Sequence, residues 1–215
     1  MSVVVDQDLA VSAAQQGFVL LQNNASHLPL DLATTQSAGG IALIGPNAAE
    51  TGSLTQLGNY HGLPANLIDI HTGLSTLLGG NASVSYAQGC TMSGTVDPES
   101  IEAAVALVSE GKKLGAVVLV LGLDGSQEAE GQDRHSLSLP GAQLQLLKAV
   151  SAAAKARASP VGVVVVIMSG GKLSQQQQQQ QLSTSQIDFR ARIWLDNSTT
   201  KPFLNETRLR SQYSI

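Results

Sequence analysis

Cysteine is nearly absent: the 215 residues hold one, Cys90. A lone thiol excludes an internal disulfide and any cysteine-rich metal site. Aromatic residues make up only 3% of the chain, which argues against a surface that stacks nucleic-acid bases. Charge is scarce as well, at 13% of residues with a net charge of −4. Such a balance gives no attraction to a phosphate backbone or an anionic membrane surface, so neither is an expected partner. No apolar run reaches the roughly 18 residues needed to span a bilayer. The opening Met1-Ser-Val-Val-Val-Asp6 lacks a basic region and a long apolar region, so no signal peptide is expected in this chain.

Motifs for bound groups are missing too. Gly122-Leu-Asp-Gly-Ser126 has neither GxGxxG nor GxxxxGK[ST], so it is not read as a phosphate cradle. Asp124, Glu128, Glu130 and Asp133 do not follow calcium-loop spacing. His27, His61, His71 and His135 are scattered without a paired spacing. Ser169-Gly170-Gly171 lacks the Gly-x-Ser-x-Gly of a nucleophile elbow. No metal and no cofactor are therefore expected.

What is present is apolar mass, at 43% of residues, enough for one domain with a real core. Ile41–Ile44, Val117–Leu121 and Val161–Met168 are short apolar runs, the last two rich in β-branched residues. All three read as short strands, the last two buried on both faces. Ala82–Tyr86 reads as a further short strand. Helices are expected over Asp6–Asn24, Asn66–Leu78, Asp97–Lys113 and Gly141–Arg157. The third has a clear start, with Asp97 as candidate cap and Pro98 in the first helical position. Strand and helix alternate with short connections, which predicts an α/β fold with a mostly parallel sheet covered on both faces.

After Gly171 the pattern stops. Seven glutamines, Gln175 to Gln181, lead into Ser/Thr-rich sequence with one apolar patch, Ile193-Trp-Leu195. Such a run lacks the apolar surface that offsets ordering entropy. The organisation expected is a domain over residues 1–171 and a mostly disordered tail over 172–215.

The chemistry-bearing stretch is Leu119-Val-Leu-Gly-Leu-Asp-Gly-Ser-Gln-Glu128-Ala-Glu130-Gly-Gln-Asp133-Arg134. A buried strand opens at Gly122 into a loop with four acids and one arginine. Ligands bind outside the carboxyl ends of strands in open α/β sheets, so acid/base chemistry fits here. Glu128 and Glu130 are two apart, so only one is expected to face a ligand. Arg134 can hold a carboxylate with a forked pair of bonds and order the loop. The plain alternative is a solvated acidic loop.

Several segments together resemble the C-terminal α/β-sandwich domain of glycoside hydrolase family three, in its β-xylosidase/β-glucosidase branch. They are Ala13-Ala-Gln-Gln-Gly-Phe-Val-Leu-Leu-Gln-Asn23 with His27-Leu-Pro-Leu-Asp31, Ile41-Ala-Leu-Ile-Gly-Pro-Asn47, Leu57-Gly-Asn-Tyr-His-Gly62, Tyr86-Ala-Gln-Gly-Cys90, Val117 to Arg134, Leu139-Pro-Gly-Ala-Gln143 and Val163 to Gly171. The resemblance covers about residues 6 to 171. It implies a three-layer α/β/α sandwich, incomplete at its C-terminal end, with later strands lost and a sheet edge exposed. It also implies a retaining β-glycosidase acting on non-reducing-end β-linked sugars of xylan or glucan oligosaccharides. In such enzymes an N-terminal barrel supplies the aspartate nucleophile, and the second domain supplies the acid/base glutamate. The matching position is Glu128, with Glu130 as runner-up, while Asp133 and Arg134 would order the loop.

No segment here matches the barrel, so the chain is expected to be a fragment that is inactive alone. Its partner would be an oligosaccharide or aryl β-glycoside once a barrel is supplied. Two alternatives stand beside that reading: a non-catalytic carbohydrate- or partner-binding module, and a non-functional partial gene product. The family implies a secretory or extracellular location. Asn24, Asn81, Asn197 and Asn205 would then be candidates for glycosylation.

Overall fold

The computed structural model describes residues 3–23, 26–49, 57, 67–80, 83–109, 113–171, 173 and 189–195. Eleven elements follow one another: α1 Val3–Gly17, β1 Val19–Asn23, α2 Leu32–Ser37, β2 Ile41–Ile44, α3 Ile70–Leu77, β3 Val84–Ala87, α4 Pro98–Ser109, β4 Ala116–Gly122, α5 Gln143–Ala156, β5 Val163–Met168 and β6 Phe189–Leu195. The sheet order is β1-β6-β5-β4-β2-β3. Strands β3, β2, β4, β5 and β6 are parallel, and β1 runs antiparallel to β6.

The central strands are apolar throughout because both faces are covered. Every residue of β2, β4 and β5 is buried. Alternation sends Val117, Leu119, Leu121, Val163, Val165 and Ile167 to one face, against Val108 of α4 and Leu146, Val150 and Ala154 of α5. Ile41, Leu43, Val118, Val120, Val164 and Val166 line the other face, against Leu74 and Leu78 in the α3 region. A helix-covered parallel sheet of this kind is the expected α/β sandwich.

Local signals set the helix starts. Asp31 caps α2, accepting the Thr34 amide at 2.7 Å, and Asp69 caps α3, accepting the Thr72 amide at 2.6 Å. Bonding from Thr34 holds the Asp31 carboxyl below its usual range. The Ser100 hydroxyl, bonded to Asp97 at the start of α4, does the same there. Cys90 is buried after β3, and burial pushes its thiol up to about 11.

Two expectations are corrected and one helix is added. The helix read over Asp6–Asn24 ends at Gly17, and Val19–Asn23 is a strand. An apolar Val-Leu-Leu run satisfies helical spacing, but β-sheet pairing with β6 wins. The six residues of α2, including two threonines, were not read as a helix. The sheet does not stop at β5, because Phe189–Leu195, inside the segment expected to be tail, pairs with both β5 and β1. The expected open edge beside β5 is thereby occupied, and the outer strands are β1 and β3. The glutamine run, most of Leu57–Gly62, and all four Asn-x-Ser/Thr sites lie outside the described residues.

Candidate active site loop

Chain reversal in this region leaves the site at the carboxyl ends of β4 and β5. Strand order places β3 on one side of β2 and β4 on the other, so the crossovers change direction between β2 and β4. Such a switch point opens a crevice in many α/β sheets. Here it is filled: Asn47 is fully buried after β2 and donates its amide to the Leu123 carbonyl at 3.4 Å. The exposed chemistry is displaced one strand over, above the end of β5.

Gly122 ends β4 with a φ of 148°, and an added Cβ would strike the Met168 backbone. Only glycine allows the two strands to run this close. The Leu123 amide then donates to the Met168 carbonyl at 2.8 Å, and the chain leaves the sheet. Asp124 folds the next turn by accepting the Ser126 amide at 2.8 Å and the Ser126 hydroxyl at 2.6 Å. Its carbonyl accepts the amides of Gln127 and Glu128 at 3.1 and 3.3 Å. Ala129 and Gln132 exchange backbone bonds at 3.1 and 3.0 Å, forming the tip. Gln132 ties that tip back to the Ser126 carbonyl at 2.6 Å.

This folding separates the two glutamates. Glu128 turns inward, where the Arg134 Nε meets its Oε2 at 2.9 Å. Its side chain stays 28% exposed, against 12% for Arg134. Arg134 also donates to the Ser136 carbonyl at 3.2 Å. The pair lies on Gly170 and Gly171 beyond β5. A Cβ at Gly171 would stand 2.9 Å from Glu128 Oε1 and 3.0 Å from Arg134 Nη2. Glu130 sits in the exposed tip, and among the described residues nothing holds its carboxylate. Asp133 is also exposed and without a bonded partner among those residues, so Arg134 alone of the two is seen to order the loop. On the Arg134 side is an open depression of about 360 Å³, edged by Asp133, Arg134, His135 and Leu139 and not lined by Glu128.

The remaining histidines stand apart from this loop. His71 meets the Tyr86 ring edge-on at 6.0 Å, His27 packs against Gly162, and His61 lies outside the described residues. Among the described residues no three metal-ligating side chains gather, and no helix is long and apolar enough to cross a membrane.

Two features escaped the sequence reading. Gly170-Gly171 serves as a floor for the ion pair, although it reads as an ordinary turn. Gln143, fully buried at the start of α5, bonds to both groups of Gly122. The signal for Gln143 was slight: one polar residue opening an Ala/Leu-rich helix.

Chemically, a carboxylate half-open to solvent beside a fixed guanidinium can give or take a proton at a bound oxygen. The arrangement provides one such carboxylate.

Comparison with known proteins matches residues 18–187 to the glycosyl hydrolase family 3 C-terminal domain. A β-D-xylosidase 3 of Arabidopsis thaliana is 42% identical over 150 residues, covering 70% of this chain and 18% of that protein. A β-xylosidase of Formosa agariphila is 34% identical over 148 residues, covering 67% and 20%. Among solved structures, a family 3 exo-β-xylosidase in complex with a xylobiose aziridine probe aligns with a TM-score of 0.71. It has 27% identity, over 90% of this chain and 22% of that one. A β-glucosidase from Listeria innocua in complex with isofagomine gives a TM-score of 0.71 at 25% identity, covering 94% and 24%. The chain thus spans about a fifth of the length of the curated relatives it matches.

Proposed function

This chain belongs to glycosyl hydrolase family 3 through its C-terminal domain, and we propose that it contributes the general acid/base residue, Glu128, of a retaining β-glycosidase of β-xylosidase type. The substrates would be non-reducing-end β-linked sugars of xylan or glucan oligosaccharides. The observation that carries this reading is the placement of Glu128: at a strand's carboxyl end, fixed by Arg134 over Gly170-Gly171, yet 28% exposed. A buried carboxylate would be out of reach, and one free in the tip, like Glu130, would be poorly aimed.

Retaining hydrolysis uses two carboxyl groups about 5 Å apart. One attacks the anomeric carbon and the other protonates the departing oxygen. The second group then takes a proton from water as the glycosyl-enzyme is cleaved. Glu128 would take the second role in both steps. Arg134 would hold the carboxylate in place between them. The nucleophile would come from a barrel outside these residues, so the chain alone is expected to be inactive.

The test is a chimaera in which this chain replaces the corresponding segment of a full-length plant β-xylosidase. The parent chimaera should hydrolyse aryl β-xylosides. Glu128→Gln should slow substrates with poor leaving groups roughly 100- to 10,000-fold, the usual worth of proton transfer. Substrates whose leaving group needs no proton should keep their first step. Equal activity of Glu128→Gln on poor leaving groups would sink the assignment. Loss through Glu130→Gln instead would move it two residues along.

A further inference from the structure

The acid loop begins at Gly122 and ends at Gln143, and a single side chain joins the two. The Gln143 Oε1 accepts the Gly122 amide at 2.8 Å, and its Nε2 donates to the Gly122 carbonyl at 2.9 Å. The second Nε2 proton goes to the Met92 carbonyl at 3.0 Å. Both donors of the amide are used, and the group is fully buried.

The reason lies in the sheet. Parallel pairing of β2 with β4 ends at Ile44 and Leu119, while β4 continues to Gly122 beside β5. On the β2 side the last residue of β4 has no strand beside it. Its amide and carbonyl would be left buried and unmet, which is unfavourable. The Gln143 carboxamide offers one acceptor and one donor side by side, as a neighbouring strand would. It therefore ends the strand at a defined residue, six positions before Glu128.

We infer that Gln143 is a positioning residue. Its carboxamide clasps the two ends of the acid loop, with the Met92 carbonyl as a further anchor, and so sets where the Glu128–Arg134 pair stands over Gly170-Gly171. The functional meaning of this clasp rests on the acid/base role proposed for Glu128. No group of Gln143 touches the carboxylate; it acts through the backbone of Gly122 and the register with which the chain leaves β4.

The experiment follows the Arg134 Nε–H resonance in the ¹⁵N-labelled 215-residue chain, with Glu128→Gln marking the unpaired position. Gln143→Met keeps the volume and removes every bond, so the resonance should move to the unpaired position. Gln143→Glu gives a finer readout. Its protonated carboxyl accepts from and donates to Gly122, with no second proton for the Met92 carbonyl, whereas the ionised form only accepts; the readout thus concerns the Gly122 bonds alone. Because burial raises a carboxyl's pKa, the resonance should sit at the paired position at about pH 5.5 and at the unpaired position by about pH 8.5, read at each pH against wild type, which stays paired while base-catalysed exchange weakens both signals alike. An unmoved resonance in either variant at about pH 8.5 overturns the proposal. A resonance already at the unpaired position at about pH 5.5 in Gln143→Glu overturns it too, since restored bonds would then not restore the pair. Should Gln143→Met fail to fold, the pH pair in Gln143→Glu decides alone. In the chimaera, Gln143→Met should lower kcat roughly a hundredfold on poor leaving groups, the worth of about 1 Å of misplacement, with KM unchanged. An unchanged kcat overturns the positioning role. The resonance involves no catalysis. An idle Glu128 in the chimaera would remove the acid/base reading and leave the clasp, and an unmoved resonance would do the reverse.

Discussion

Strand β4 and the loop it feeds are neighbours built by opposite means. All seven residues of β4 are buried, and its side chains are held by apolar packing on two faces. The loop from Leu123 to Ala142 is largely exposed and is held by named polar bonds: Asp124 to Ser126, Gln132 to Ser126, Arg134 to Glu128. Packing is non-directional and additive over area, so it supplies stability. Hydrogen bonds net little stability but are strict in geometry, so they supply aim. The strand can therefore lose free energy without losing shape, whereas the loop can lose shape at little cost in free energy.

The largest test of that contrast is Leu119→Ala, at a fully buried position in the centre of β4. It should lower unfolding stability by about 2–5 kcal/mol in urea titration. A loss below about 1 kcal/mol would mean that the sheet centre packs loosely, and would blur the comparison. An intermediate effect is expected at alkaline pH. The Cys90 thiol, displaced upward to about 11 by burial, favours its neutral form in the fold. Its contribution is complete below the ordinary value of 9.0 and is lost as pH rises through about 11. Urea midpoints of wild type and Cys90→Ala should thus converge across that window. The smallest effect is expected for Arg134→Gln, which breaks a partly exposed pair and should cost less than about 1 kcal/mol. Its consequence should show instead as disorder of Glu128 in NMR. A cost as large as that of Leu119→Ala would erase the distinction between strand and loop.

The same division explains what the sequence disclosed. Ile41–Ile44 and Val117–Leu121 are readable, as is the Val161–Met168 run within which β5 begins at Val163, because burial on both faces writes itself as an apolar run. The loop's place is readable, since a buried run that stops at Gly122 must open there, but its four acids and one arginine fit a solvated loop as well as a site. Which glutamate turns inward was not readable, because Asp124 and the Ala129–Gln132 tip decide it through bonds among polar residues. The bounds of α1 and β1 failed where Val19-Leu-Leu21 suits either period. Strand β6 failed because its pairing is entirely non-local and its neighbours in sequence are glutamine and serine. Gln143 was hidden because a helix position says nothing of a partner twenty-one residues away.

Placing β6 between β5 and β1 also fixes an order of events. Val19 lies opposite Trp194, so one of the first strands to be made waits for one of the last. On a ribosome, β2 through β5 can assemble from neighbours while β1 stays unpaired, its edge open to other chains. Closing that gap carries the loop entropy of nearly the whole chain. Of the six strands, β1 is thus the one whose pairing waits longest on the rest of the sheet.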